Sequence, residues 1–514
     1  MYLTILEVSQ KQAYIFSSNK LQDNITNSAI IAWVMSPKYF KEKAGKLDDN
    51  VLFFEDKNVV YSGGGHTVLE FETKPQADTF VNQITATIRK EYSGLEVFAK
   101  TMEYDEKIPA GENLKELTKA LEQKKAERES AFYQGSFGVE KIDSTTLNPI
   151  LSNPSPFDGV MPEEEEKIDK SLSAKNYDRV WKFKELGGSK HSSNFIAVVH
   201  IDGNAMGTRV QQLYEENKDK TWEEYKKKLK NFSNSIDKDF KASYKEMVEV
   251  VAKNLEQGKL EQLSIKKKNF PVRRIITAGD DICFVTEGRI GLECAVAFLN
   301  ALNGKRNEED GKGYAACAGV AIVHQKYPFY RAYELAEQLC SNAKKFGATL
   351  HSERGGEISS IDWHIEYGEM KDTLEEVRDV YKTADRKQLE LRPYIVSAPE
   401  EILKEEKIRQ YCYFKKLISS ILEQEITYSR GRLKELRNVL KQGEVATKHY
   451  LKFHKIEDIA RDSYQDIFVE VDTSKVGTGE RLDRKVFEKT CDNKERSLLF
   501  DAIEMLDTFI GLEY

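Results

Sequence analysis

VRRIITAGDDICFVTEG, residues 272–288, alternates apolar and polar side chains on either side of AGDD, so it reads as two strands around a tight turn. Upstream, NFIAVVHIDGNAMG (194–207) is an apolar strand that ends in Asp202 and runs into a helix beginning near Met206. Downstream come a helix (GLECAVAFLNAL, 291–302), a strand (AACAGVAIVH, 315–324), a helix (329–347) and a further strand (358–368). Residues 1–104 show the same order: TILEVSQ as a strand, an amphipathic stretch at about 24–41, VLFFEDKNVVYSGGGHTVLEF as a hairpin, a helix at 74–89 and a closing strand in GLEVFAKTME. Each half predicts one sheet with helices packed on one face.

The fold class expected is therefore α+β: two ferredoxin-like (βαββαβ) palms joined by a linker, followed by a helical domain. The expected boundaries are 1–104 for the first palm, 105–192 for a helical and irregular linker, 193–394 for the second palm and 395–514 for the helical C-terminal domain. The linker carries a charged helix (ENLKELTKALEQKKAERES, 112–130) and an acidic block at 163–166, which reads as a solvated face. Within the second palm, a Lys- and Glu-rich helical insertion at roughly 214–262 reads as a solvated excursion.

With 514 residues and 40% hydrophobic content, the chain has material for several cores. A net charge of −7, from 78 basic and 85 acidic side chains, supplies no overall positive field for nucleic acid. Six separated cysteines (283, 294, 317, 340, 412, 491) have no CxxC spacing and read as thiols in a reducing cytosol. No stretch approaches a membrane span and the N-terminus lacks the pattern of a secretory signal, so a cytoplasmic protein without membrane partners is expected.

Laying the hairpins over each other pairs Gly63, Gly64, Gly65 and His66 with Ala278, Gly279, Asp280 and Asp281. Carried to the first strands, this reading sets Ser9 opposite Asp202 and Glu7 opposite His200, leaving the first copy without a carboxylate at any of the three acidic positions. Adjacent strands lie about 4.8 Å apart, so Asp202, at a strand end, and Asp280 and Asp281, on the neighbouring turn, converge. Such carboxylates call for one or two Mg²⁺ or Mn²⁺ ions, which can activate a 3′-hydroxyl and steady a triphosphate during in-line displacement. Gly203, Asn204 and Gly207, at a helix start, are expected to leave backbone N–H groups for phosphate. Gly279 lets the backbone pass close beneath a nucleotide. Lys344, at the edge of a helix whose inner face is Ala336, Leu339, Cys340 and Ala343, is a candidate phosphate contact. His66, His200, His324 and His364 have no ligand spacing and read as structural.

DGNAMG, AGDD, the segment 318–347, IDWHI and RPY together resemble the second palm of the large subunit of type III CRISPR effector complexes, the Csm/Cmr palm polymerase. EVSQKQAYIFSSNKLQDN and YSGGGHTVLEF are similar to that subunit's first palm, and GGDEF diguanylate cyclases are a more distant likeness. The resemblance covers about residues 1–104 and 193–395. It implies that ATP is joined through 3′–5′ linkages into cyclic oligoadenylate, a messenger of antiviral defence. It also implies that Asp202, Asp280 and Asp281 are metal ligands, with the carbonyl of Ile201 as an additional one and Ser62 as a first-palm nucleotide contact. Ala278 stands where the family usually has Gly, and Asn204 where it often has Asp. Neither the His-Asp nuclease motif nor the zinc cysteines between the palms occur, as expected of a reduced relative. Cyclisation makes a homodimer a candidate assembly. The alternative readings are a non-catalytic scaffold that binds RNA or CRISPR-type proteins, favoured only by KKKLK (226–230) and IKKKNF (265–270), and a diguanylate-type cyclase.

Overall fold

The first strand, β1 (Tyr2–Ser9), occupies an inner position of a four-stranded sheet and alternates its side chains between two faces. It is followed by α1 (Lys11–Ile15), α2 (Leu21–Val34), α3 (Pro37–Ala44), the hairpin β2 (Val59–Gly63) and β3 (His66–Phe71), α4 (Lys74–Glu91) and β4 (Glu96–Glu103). Thr73 starts α4, its hydroxyl accepting from the Gln76 amide while the Gln76 side chain returns to the Thr73 backbone. Strand order β2-β3-β1-β4 is that of a ferredoxin-like palm. In this computed structural model the described residues are 1–44, 54–92, 94–127, 177–186, 194–263, 265–266, 268–351, 355–368, 372–423, 429–456, 459, 486–490 and 492–514. Of the linker, the charged helix is present as α5 (Ala110–Ala126), whereas the acidic block at 163–166 and Cys491 lie outside the described residues.

The second palm consists of β5 (Phe195–Gly203), α6 (Met206–Glu216), α7 (Trp222–Glu256), β6 (Val272–Ala278), β7 (Asp281–Glu287), α8 (Gly291–Asn303), β8 (Ala316–His324), α9 (Phe329–Leu350), β9 (Ser359–Ile365), α10 (Leu374–Arg378) and β10 (Tyr394–Ser397). Its sheet runs β10-β9-β8-β5-β7-β6, so the four strands β8-β5-β7-β6 repeat the ferredoxin-like order and β9 adds in parallel to β8. The sheet therefore continues through 394–397, across the boundary expected at 394/395. The C-terminal segment is not purely helical either. Helices α11 (Glu400–Glu405), α12 (Tyr411–Glu423), α13 (Arg430–Leu440), α14 (Glu444–His454) and α15 (Phe500–Met505) are joined by a small hairpin, β11 (Phe487–Lys489) with β12 (Glu495–Ser497).

The insertion at 214–262 is not a solvated excursion. Helix α7 buries Tyr225, Leu229, Phe232, Ile236, Phe240, Tyr244, Met247 and Val251 along one stripe, in the same core as Ala197, Val199 and Ile201 of β5. Its Lys and Glu residues cover only the outer face, which is what made the segment read as solvated. At its N-terminal end α7 also grips the first palm, for the Trp222 indole N–H donates to Glu70 Oε2 at 2.6 Å and Lys226 pairs with the same carboxylate. Leu229→Ala is expected to cost about 2–3 kcal/mol, measured by denaturant unfolding. A loss within about 0.5 kcal/mol, the usual size for surface substitutions, would restore the solvated reading.

Alternation along β5 sends Ala197, Val199 and Ile201 toward that core and Ile196, Val198, His200 and Asp202 to the opposite face. The first palm packs against this opposite face. Phe16 lies 4.2 Å from Tyr333 and 5.6 Å from Phe329, ring centre to ring centre. Gln12 donates to Tyr333 Oη at 3.2 Å and to Glu337 Oε1 at 2.8 Å. The hairpin turns of the two palms consequently share one cavity.

Candidate functional site

Both hairpins close over two residues in the same register, although Asp280, unlike its counterpart Gly65, is not left-handed. Gly63 pairs with His66 as Ala278 pairs with Asp281, and Gly64, Gly65 and Gly279 take the left-handed backbone at φ +58°, +76° and +65°. Two further hydrogen bonds fix how the first strands correspond. The Val8 N–H donates to the Gly65 carbonyl at 3.0 Å, and the Gly203 N–H donates to the Asp280 carbonyl at 3.2 Å. Gln10 and Ala205, each preceding its helix, are both left-handed, at φ 49° and 57°. Cross-strand partners agree, since Glu7 faces His66 and Asp202 faces Asp281.

Glu7, not Ser9, is therefore the counterpart of Asp202, and the expected alignment of the first strands is corrected by two residues. The first palm keeps a carboxylate at one of the three positions. Gly65 and His66 replace the other two. Sequence alone does not show the shift, because EVSQKQ and HIDGNA both carry short polar residues after the strand, and the repeated left-handed residue before the helix has no side-chain signature.

Between the turns lies a cavity of about 1000 Å³, lined on one side by Ser62, Gly63, Gly64 and Gly65 and on the other by Gly279, Asp280 and Asp281. Helix α7 adds Ser233, Asn234 and Asp237 to its wall, residues the sequence reading did not single out. Asp202, Ile201, Gly203, Asn204, Gly207 and Lys344 are not among the lining residues. They lie at or just past the end of β5, in the first turn of α6 and on α9.

Each has a defined local role. A Cβ at Gly203 would come within 2.9 Å of Asp280 Cβ and Met206 Cε, so only glycine fits. The N–H groups of Gly203 and Asn204 are used, by the Asp280 and Ala315 carbonyls, and are not open to phosphate as expected; Gly207 has open space at its Cα. Asn204 is buried, its Nδ2 donating to the Ile358 carbonyl at 2.8 Å and its Oδ1 without a partner. Ile201 is fully buried in a strand paired on both sides, with Ile282 and Ala318. The Ser62 hydroxyl already serves the Met35 carbonyl at 2.9 Å and Thr67 Oγ1 at 2.9 Å.

Charge is concentrated at Asp202, Asp280 and Asp281. Burial, then the neighbouring Asp202, push the Asp280 carboxyl up to about 6 and that of Asp281 up to about 7. Asp281 Oδ1 is buried without a hydrogen bond, 3.5 Å from His200 Nδ1. The His200 imidazole is held below its ordinary pKa by burial, leaving a neutral ring against the carboxylate. Lys344 Nζ donates to Asp202 Oδ2 at 2.5 Å and to the Gly203 carbonyl at 2.9 Å. Burial opposes the Lys344 charge, but the ion pair with Asp202 outweighs it and raises the ammonium pKa.

Among the described residues, no three His, Cys, Asp or Glu side chains are gathered as a ready metal cage. Donor chemistry nevertheless suits a hard dication, because Asp280 and Asp281 are crowded acidic oxygens with one orphaned atom and a cavity in front of them. Asp202 can offer both oxygens beside them only when Lys344 releases Oδ2. Among the described residues no helix is long and apolar enough to cross a membrane.

Comparison with known proteins agrees with this architecture. Residues 195–349 match the family model described as Cas10/Cmr2, second palm domain. Among solved structures, the Csm1–Csm4 cassette in complex with cA3 resembles the chain at a TM-score of 0.55 and 14% identity, over 99% of this chain and 69% of that one. The cassette in complex with pppApApA gives 0.52 and 14%, over 98% and 69%. With AMPPNP the values are 0.44 and 16%, over 67% and 53%. The chain thus spans between about half and two thirds of the length of these relatives. At such identities the likeness concerns the fold. No curated protein matches the sequence.

Proposed function

We propose that this chain, carrying a second palm of the Cas10/Cmr2 kind, is a metal-dependent nucleotidyl transferase that joins ATP through 3′–5′ linkages into cyclic oligoadenylate, in antiviral defence. The observation that carries the reading is the pair of facing turns: Asp280 and Asp281 open into a cavity of about 1000 Å³ whose other wall is the glycine turn of the first palm. That volume is at the top of the range that single small ligands fill, leaving room for two nucleotides. The relatives solved with cA3 and with pppApApA are such adenylate chains bound to a Csm1–Csm4 cassette.

Asp280, Asp281 and, once released, Asp202 would hold one or two Mg²⁺ or Mn²⁺, with the Ile201 carbonyl as a further ligand. A dication there would lower the pKa of an attacking 3′-hydroxyl and neutralise charge on the departing pyrophosphate. Gly279 and Gly64 keep both turns low, so nucleotides lie close to the backbone. Lys344, displaced from Asp202, would meet phosphate as a point charge. The neutral His200 ring and Tyr333, whose centres are 5.5 Å apart, wall the buried side of Asp281 and exclude water. The two palms of one chain share one pocket, so cyclisation does not call for a homodimer; a Csm4-like protein is the partner that the cassettes suggest.

Incubation with an equal mixture of the four ribonucleoside triphosphates and Mn²⁺, followed by mass spectrometry, is expected to show pyrophosphate and cyclic oligoadenylate. A guanine-containing product would move the reading to a diguanylate-type cyclase. The Lys344–Asp202 pair favours a second reading, a non-catalytic scaffold in which that lysine permanently occupies a ligand. Unchanged nucleotides together with tight, salt-sensitive RNA binding would select it.

A further inference from the structure

The corrected correspondence shows a charge reversal between the palms. Where the second palm has Met206 and Asp280, the first has Lys11 and Gly65. A Cβ at Gly65 would lie 2.9 Å from Lys11 Cε and 3.1 Å from its Cδ, so a side chain there would push the lysine tip off the turn. Lys11 Nζ reaches the Gly64 carbonyl at 2.5 Å and lies 3.7 Å from Glu7 Oε1.

A second ammonium completes the group. Lys125, from the end of α5, puts its Nζ 2.8 Å from Glu7 Oε2, so the carboxylate that corresponds to Asp202 is paired with a lysine, as Asp202 is with Lys344, but here with the lysine facing the cavity. Glu7, Lys11 and Lys125 all line the cavity, on the wall opposite Asp280 and Asp281. Lys125 also touches Glu122 Oε1 at 2.7 Å, but that carboxylate is 60% exposed, and an exposed ion pair is weak and readily exchanged for a phosphate oxygen.

We propose that Lys11 and Lys125, steadied by Glu7, form a polyphosphate subsite that takes a nucleoside 5′-triphosphate without any divalent cation. Naming the ligand a nucleotide rests on the function proposed above; its being a polyphosphate rests on the ammonium pair alone. One wall of the cavity then depends on metal and the other does not. Glu7 keeps the lysines parked over the turn, and Gly64 leaves the surface flat enough for the phosphate chain.

Calorimetric titration of inorganic tripolyphosphate and of ATP, each in excess EDTA, tests this. Wild type is expected to bind both, and Lys11→Ala and Lys125→Ala each to weaken binding roughly ten-fold or more. The Asp280→Asn/Asp281→Asn variant should bind as well as wild type or better. No binding by wild type in EDTA, or unchanged binding by the lysine variants, overturns the subsite. Should an alanine variant fail to fold, Lys125→Arg decides, since it keeps the charge and must keep EDTA-resistant binding. If pyrophosphate is never released with Mn²⁺ while metal-free binding still follows the lysines, nucleotidyl transfer falls and the subsite stands.

Discussion

Pyrophosphate release from ATP and Mn²⁺ is expected to fall by at least about 10³-fold in the Asp280→Asn/Asp281→Asn variant, measured in single-turnover assays. Asparagine keeps the shape of each side chain but removes the charge that would hold a dication. The same substitution should raise the melting temperature of the nucleotide-free protein. Burial and Asp202 lift both carboxyls toward neutrality, to about 6 and about 7, so their ionised forms weigh against the fold at pH 7 and above. A raised carboxyl contributes this penalty above its folded pKa and sheds it as pH falls. The gain in melting temperature should therefore shrink between about pH 7 and pH 5. An inactive variant with a lowered melting temperature would mean a damaged fold, and a fully active one would end the metal-dependent reading.

Much of the architecture was readable from period and order. Apolar alternation in 194–203 and 272–288, with a helix after each hairpin, is enough to place β5, β6, β7 and α8, and the weaker copy in 1–104 yields the first palm. Three features resisted. Helix α7 carries so many Lys and Glu residues that its buried stripe, Leu229 to Val251, is hidden in the composition. The offset between EVSQKQ and HIDGNA depends on backbone conformation at Gln10 and Ala205, where the side chains share nothing. The N–H groups of Gly203 and Asn204 looked available from position alone, yet each is claimed by a carbonyl from a distant segment, Asp280 and Ala315. Partners of that kind come from tertiary packing, which no local pattern encodes. The acidic triad was visible, whereas the lysine on Asp202 as its present counter-ion was not.

RPY (392–394), which helped the resemblance to the palm family, turns out to hold the C-terminal helices to the sheet, and Arg392→Met should cost about 3–5 kcal/mol. Arg392 is 1% exposed. Its Nη1 donates to Glu504 Oε2 at 2.7 Å and lies 3.3 Å from Asp501 Oδ1, and its guanidinium stacks 5.2 Å from the Trp363 ring centre. Glu504 also accepts from Tyr381 at 2.9 Å, and Asp501 Oδ2 accepts from the backbone N–H groups of Leu391 and Arg392, each at 3.0 Å. Burial works against the Glu504 charge, but Arg392 overcomes it and holds the carboxyl below its ordinary value. Glu504 thus stabilises the fold above the ordinary glutamate range, and that contribution is lost as pH falls through its folded pKa. Methionine fills the space of the arginine stem but leaves Asp501 buried without its cation and Glu504 with only Arg437, 3.8 Å away. In the variant, the uncompensated carboxylates should make the loss greatest at neutral pH and smaller in acid, where protonation relieves them. Adding Glu504→Gln to Arg392→Met should return part of the stability, because it removes the charge that the first change stranded. Denaturant unfolding at pH 7 and pH 5 reads both effects. A single-variant loss under about 1 kcal/mol, or one that grows as pH falls, would show that the network does not fasten α15 to β10 in this way.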